Sequence, residues 1–402
     1  MKLLTVSHAC VTPINQAFYA DLARLKGWEV ELVVPATWNS EYTKALPATR
    51  WKDFNGVLHT IPTWKSGNIP LHVYRSFFVD LLRRSKPDAI YMHHEPYGLA
   101  SAQVYFANAL TGRRPIGFYA AQNILKQYPP PFRWLESYVM RSSQFCFPVS
   151  QGALDVLRTK GYTARAAVLP LAVDANVYRP QPEWAAGQRR AMGLGEDTFV
   201  IGYLGRLVEE KGLRNLLLAA SQLPHSNWSC VFVGTGPFEQ ELRALAATLG
   251  IAERVHFVGF VPHEQAPGWL TLFDVLVLAS ETRPNWKEQF GRVIVEANAC
   301  GTPVIGTESG EIGHVLRDTA GGLVVPEADV AALQDALARL AGDPALARRL
   351  GELGAQAVRA RYDQLYLAGR FAATIEAAMH DVAPGAAAKL DKAHEMAKEA
   401  QR

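Results

Sequence analysis

Strand-like and helix-like segments alternate along nearly the whole chain, in two series separated by a polar, proline-containing stretch at residues 174–196. In the first series, short runs of β-branched, aliphatic and aromatic residues at 2–6, 29–34, 56–61, 89–92, 116–120, 145–149 and 167–169 read as strands. Helical patterning marks 17–26, 71–84, 97–110 and 131–141, the last opening with Pro131, whose missing N–H costs nothing at a helix start. The second series has strands at 199–204, 230–233, 255–258, 275–278, 304–306 and 322–325, with the clearest helices at 212–221, 239–249 and 330–340. Alternation of this kind predicts parallel sheets covered by helices. The expected fold class is therefore α/β: two doubly wound, Rossmann-like domains, with ligands bound beyond the C-terminal ends of the strands and a cleft between the domains.

A chain of 402 residues is long enough for two such cores. The expected boundaries are 1–173 for the first domain and 174–360 for the second. Residues 381–402, rich in Ala, Lys and Glu, read as a tail, either helical or mobile, with no legible chemistry. A formal charge of +3 is too small to argue for a nucleic-acid partner. Cys10, Cys146, Cys230 and Cys300 lie far apart, without metal-ligand spacing, and read as buried thiols of a cytoplasmic protein. The apolar start is too short for a signal peptide, and no apolar run is long enough to cross a bilayer.

The segment most telling about chemistry is 288–303. Glu288 precedes a turn at Phe290 and Gly291, and Glu296 lies within a short apolar helix at 293–299 stopped by Gly301 and Pro303. A carboxylate on such a helix is costly unless something hydrogen-bonds it. The helix start carries unpaired N–H groups and partial positive charge. Two carboxylates beside a helix N-terminus suit a ligand bearing both hydroxyls and phosphate, which a nucleotide sugar does.

Gly205 follows the strand 199–204 and permits a tight turn, after which Arg206 and Lys211 flank the next helix start. They are placed to hold a diphosphate; the alternative is a solvated Lys211 and an Arg206 paired with Glu209 or Glu210. Gly234 and Gly236 mark a further strand-to-helix turn, a common connector without a full dinucleotide fingerprint. Gly259 and Phe260 end another strand, where backbone groups could read a base edge or simply turn the chain. Glu311, in a glycine-bracketed loop, is either a ligand contact or a helix cap.

In the first half, His93, His94 and Glu95 end the strand 89–92, and His94 and Glu95 are the better candidates to face a cleft, for proton transfer or sugar hydroxyls. No further His or Cys lies at useful spacing, so metal is not expected there. Gln122 and Asn123 end the strand 116–120, and His8, Asn15 and Gln16 belong to the loop after the first strand. Trp38, Trp51, Trp64, Tyr128, Phe132 and Trp134, with Lys and Arg nearby, read mostly as packing, with peripheral membrane contact as a second expectation.

With these residues in view, the chain resembles the retaining glycosyltransferases of family 4, which have the GT-B fold. The resemblance is strong over the second half: Gly205 and Arg206, Lys211 and Gly212, Glu288 through Glu296, then Gly301 to Val304, in that order. It implies that Arg206 and Lys211 hold a donor diphosphate, that Glu288 and the neighbouring Gln289 meet the donor sugar, and that Phe290–Gly291 backbone approaches sugar and phosphates. It implies that Glu296 binds the ribose, and that a last helix near 362–379 completes the N-terminal domain. The first half departs from the pattern: Pro13 to Gln16 stand where many members have paired glycines, and Gln122–Asn123 where many have a histidine. His94 is the substitute candidate for that histidine. With no Asp-x-Asp motif, no metal and no cofactor are expected; the co-substrate is a UDP- or GDP-sugar, and the acceptor a glycan or lipid-linked intermediate. The expected activity is metal-independent, retaining sugar transfer in cell-envelope, polysaccharide or glycolipid synthesis, in the cytoplasm or on the inner membrane face. The competing readings are a sugar-nucleotide 2-epimerase of the same architecture and a degenerate sugar-nucleotide-binding subunit.

Overall fold

A computed structural model describes residues 1–39, 45–224 and 227–382. The chain divides into two units, one built from Met1–Pro170 with the segment from Leu367 onward, the other from Leu171–Tyr366. Each unit is a parallel-sheet, Rossmann-like α/β structure, the type of domain from which GT-B folds are built.

Among the described residues, the first unit holds a seven-stranded sheet: β1 Lys2–Val6, β2 Glu29–Pro35, β3 Val57–Ile61, β4 Ala89–Met92, β5 Ile116–Ala120, β6 Phe145–Pro148 and β7 Arg165–Ala166. The order is β7-β6-β5-β4-β1-β2-β3, with every pairing parallel. The direction of winding reverses at β1, so a crevice opens beyond the C-terminal ends of β1 and β4.

Both faces of this sheet are covered, which is why its central strands read as unbroken apolar runs. Leu4, Val6, Met92 and Phe118 pack on one side against Val104 and Tyr105 of the helix Leu99–Leu110. Leu3, Leu32, Tyr91 and Phe147 pack on the other against Tyr19 and Leu22 of the helix Ala17–Lys26 and against Phe371 and Ile375 of the helix Gln364–Val382. Phe371 stacks on Phe147 with ring centroids 4.5 Å apart and is fully buried.

The second unit has a six-stranded sheet: β8 Phe199–Leu204, β9 Trp228–Val233, β10 Val255–Gly259, β11 Val275–Leu278, β12 Val304–Thr307 and β13 Gly322–Val325. Its order is β10-β9-β8-β11-β12-β13, again wholly parallel. The reversal falls at β8, and its crevice lies between the loops after β8 and β11.

Three segments differ from the sequence expectation. Residues 71–84, expected as one helix, form the strand Val73–Tyr74 followed by a shorter helix, Val79–Ser85. Val73 and Tyr74 pair antiparallel with Thr63–Trp64, and the Gln103 amide binds the Tyr74 N–H and the Tyr74 and Ser76 carbonyls, capturing the backbone groups a helix would have used internally. The short strand expected at 167–169 lies instead at Arg165–Ala166, in register with Phe145 and Cys146. The intervening stretch contains a helix, Pro182–Ala191, fixed by Trp184 against Trp269 at 5.3 Å and by the Arg189–Asp274 ion pair at 2.7 Å. Most of the expected tail, residues 383–402, lies outside the described residues. All four cysteines are buried free thiols. Among the described residues, no helix is long and apolar enough to cross a membrane.

Candidate functional site

The crevice of the second unit is walled by the loop after β8, carrying Arg206 to Lys211, and the loop after β11, carrying Ser280 to Glu288. The loops touch at Gly212 and Ala279. Gly212 has φ +65°, and a side chain there would overlap the Ala279 carbonyl oxygen, so only glycine satisfies both demands. Across this junction the Lys211 ammonium meets the Glu288 carboxylate at 2.5 Å, with both side chains largely buried. The Ser280 hydroxyl donates to the same Glu288 oxygen at 3.1 Å, and the ammonium lies 5.0 Å from the Trp286 ring centroid. Lys211 is thus not the solvated surface lysine allowed by the sequence. Arg206 is exposed, and Arg283 approaches Glu209 at 3.3 Å.

Glu288 is also held through its backbone. Its carbonyl accepts from the Glu311 N–H at 3.2 Å, and Gly310, at φ +56°, lies so close that any side chain would collide with that carbonyl. Glu311 itself is largely buried and precedes the helix Ile312–Thr319. Beyond Glu288, Gln289 is exposed, Phe290 is buried with its ring 6.2 Å from Tyr362, and Gly291 at φ +78° starts the helix Arg292–Ala299.

The partners that Glu296 requires are present. Arg292, one turn earlier, approaches it at 2.9 Å, and the Tyr178 hydroxyl is near enough to feel its charge. The same hydroxyl lies 3.1 Å from the ring nitrogens of His263. Burial lowers the His263 pKa, against the opposing pull of Glu296. Burial, and secondly the Glu296 charge, raises that of Tyr178 well above the ordinary phenol range. Sequence reasoning missed both residues, because neither is near Glu296 in the chain. Gly259 takes φ +85° and its carbonyl accepts from the Gly234 N–H at 2.8 Å, while Phe260 is exposed.

In the first unit, His8 follows β1 and His93–Glu95 follow β4, on the two sides of the winding reversal. His8 Nδ1 lies 3.1 Å from His94 Nδ1. His72, just before the strand Val73–Tyr74, joins them, and one ligating nitrogen from each of the three lies within 4.8 Å of the others. Sequence spacing concealed this cluster, since 86 residues separate His8 from His94. Burial, then the neighbouring rings, hold the His8 pKa down at about 3, and burial holds His93 at about 4. His94 is lowered well below its usual value by the same causes, and His72 is lowered by burial.

Glu95 accepts from the Ala121 N–H at 2.7 Å and the Gln122 N–H at 3.2 Å; desolvation outweighs these bonds and raises its pKa to about 7. Gln122 accepts from the Ile124 N–H, and Asn123 is buried. Asn15 donates to the Ala9 carbonyl. Gln16 is fully buried, donates to the Cys10 and Thr49 carbonyls and accepts from the Trp51 N–H, so the structure gives it a loop-tying role. Trp38 is buried, while Trp64 and Trp134 are exposed.

Residues 186–357 match the family Glycosyl transferases group 1. An alpha-D-kanosaminyltransferase from Streptomyces kanamyceticus is 27% identical over 324 residues, 77% of this chain and 82% of that protein. A GDP-mannose-dependent alpha-(1-6)-phosphatidylinositol monomannoside mannosyltransferase from Mycolicibacterium smegmatis is 34% identical over 198 residues, 48% of this chain and about half, 52%, of that protein. In fold, the chain is similar to HepE of Anabaena, crystallised with UDP: TM-score 0.73 and 19% identity, covering 94% of this chain and all, 100%, of that one.

Proposed function

We propose that this chain, a glycosyltransferase by its group 1 domain and its homologues, is a retaining enzyme that moves a sugar from a nucleotide donor to an acceptor hydroxyl. The observation that carries the reading is the Lys211–Glu288 pair, braced by Ser280 and seated where the β8 and β11 loops meet. A diphosphate entering that crevice competes with Glu288 for the ammonium. Lys211 and Arg206 then meet the leaving-group charge, and the released Glu288 accepts hydrogen bonds from the donor sugar. Gln289 and the backbone at Phe290 and Gly291 complete the sugar side, and Glu296, oriented by Arg292 and Tyr178, takes the ribose. Positively charged and N–H groups aimed at the departing diphosphate supply the electrostatic stabilisation such a reaction needs.

Retention follows, in this reading, from same-face attack by the acceptor, with its proton passing to the departing phosphate oxygen. The donor side needs no divalent ion, because Arg206 and Lys211 carry the counter-charge. Residues 174–360 form the donor half, and 1–173, completed by 361–380, the acceptor half with His8, His94, Glu95, Asn15, Gln122 and Asn123 as candidates. The relative named as GDP-mannose-dependent and the neighbour crystallised with UDP support a GDP- or UDP-sugar donor. The relative named as a phosphatidylinositol monomannoside mannosyltransferase supports a glycolipid acceptor, handled in the cytoplasm or at the inner membrane face. The exposed Trp64 and Trp134 support membrane contact there.

The test is product analysis after incubation with UDP- and GDP-sugars, with and without candidate acceptors. The expected result is acceptor-dependent release of the nucleoside diphosphate and a product whose anomeric configuration, read by NMR, matches the donor. Addition of Mg2+ or Mn2+ leaves kcat/KM unchanged. Conversion of the donor to its 2-epimer without acceptor would move the assignment to an epimerase.

A further inference from the structure

We propose that His8, His72 and His94 form a binding site for one divalent transition-metal ion of the Zn2+ class within the first unit. The inference stands apart from the donor site and rests on the arrangement of ring nitrogens. His8 Nδ1 and His94 Nδ1 face each other at 3.1 Å. Two nitrogens on a tetrahedral zinc, each at about 2.0–2.1 Å from the ion, are about 3.3 Å apart. The third ring supplies its nitrogen within 4.8 Å of both.

The outward hydrogen bonds choose the tautomers a metal requires. His72 Nδ1 lies 2.9 Å from the Ile69 carbonyl oxygen and 3.2 Å from that of Asn68. A carbonyl only accepts, so Nδ1 carries the proton and Nε2 keeps a lone pair. That Nε2 is buried and has no hydrogen-bond partner, in a residue only 1% exposed. A buried nitrogen with an unused lone pair is costly unless something fills it. His94 Nε2 lies 3.4 Å from the Tyr74 hydroxyl, leaving Nδ1 turned to His8. A second ring nitrogen engaged by a carbonyl or hydroxyl is the usual support of a metal-bound imidazole. Trp38, 4.9 Å from both His8 and His72, closes the site with an apolar wall.

The donor set fixes the class of ion. Three neutral imidazoles suit Zn2+, Co2+, Ni2+ or Cu2+ and are poor ligands for Mg2+ or Ca2+, which take oxygen. Three protein ligands leave a fourth position for water. With no anionic ligand, the ion keeps its full charge and makes that water more acidic than in bulk.

Chelator-treated full-length protein is titrated with Zn2+ by calorimetry and loaded with Co2+ for visible absorption. The expected result is one Zn2+ per chain and the intense d–d band of tetrahedral Co2+. His72→Asn and His8→Asn, checked for folding by circular dichroism, should each weaken binding by roughly a hundredfold or more, while His59→Asn, outside the cluster, leaves it intact. Absence of stoichiometric Zn2+ binding by the parent, a weak octahedral Co2+ spectrum, or unchanged affinity in both cluster variants would overturn the proposal. The parent spectrum decides the matter even where a variant does not fold.

Discussion

Lys211 Nζ lies 2.5 Å from Glu288 Oε2, joining residues 77 positions apart at the point where the winding of the second sheet reverses. The pair joins the two crevice walls, and each partner is a group that a sugar diphosphate would claim. Lys211→Ala and Glu288→Gln should each lower kcat with the cognate donor by about 10²- to 10³-fold. A double-mutant cycle on thermal stability should show coupling of roughly 0.5–3 kcal/mol. Coupling near zero would mean that the walls are held independently of this pair.

Gly310 controls where Glu288 sits. A methyl group there, at φ +56°, would strike the Glu288 carbonyl. Gly310→Ala should therefore cost more than the roughly 1 kcal/mol of an ordinary glycine-to-alanine conflict with a left-handed backbone and should raise the donor Kd. A variant with parental melting temperature and donor affinity would show that the loop yields freely.

His263 gives the second unit an acid sensitivity. Burial lowers its pKa below the unfolded value of 6.5. Between these values the unfolded chain binds more protons, so stability is complete above about pH 6.5 and is lost as pH falls through the folded pKa. A buried cation would then sit against the Tyr178 hydroxyl. His263→Gln should flatten this part of the stability–pH profile measured by urea unfolding; an unchanged profile would place the acid limb elsewhere.

Phe371, buried against Phe147 and 5.0 Å from Tyr91, anchors the helix Gln364–Val382 on the first sheet. Phe371→Ala should destabilise the protein by about 3–5 kcal/mol, read as a fall in melting temperature. A shift within error would show that the helix is held by its flanking contacts, such as Lys26–Glu376 at 2.9 Å.

The sheets were legible because their central strands are buried, so strands such as β8 and β11 read as nearly continuous apolar runs. The walls of the second unit's crevice were legible because Lys211 and Glu288 lie in loops that follow strands and Glu296 lies on the helix after the second loop. What sequence could not show depends on contacts between distant segments. The Gln103 amide turns an apparent helix at 71–84 into a hairpin strand. Trp269 and Asp274 make a helix of the polar stretch around Trp184. His8 and His94 meet because β1 and β4 are neighbours in the sheet, while His72 arrives from the segment before the hairpin strand Val73–Tyr74, and Gln16, polar and near an expected site, is consumed by loop backbone.

The central claim is that the Lys211–Glu288 crevice binds a nucleotide sugar. Isothermal titration of the parent and of Glu288→Ala with UDP-glucose, GDP-mannose and the free diphosphates tests it most directly. The account predicts saturable binding of one nucleotide series by the parent. It also predicts at least a tenfold loss in Glu288→Ala (about 1.4 kcal/mol) that is larger for the sugar nucleotide than for the free diphosphate. Equal affinities in parent and variant, or binding of neither series, would contradict it.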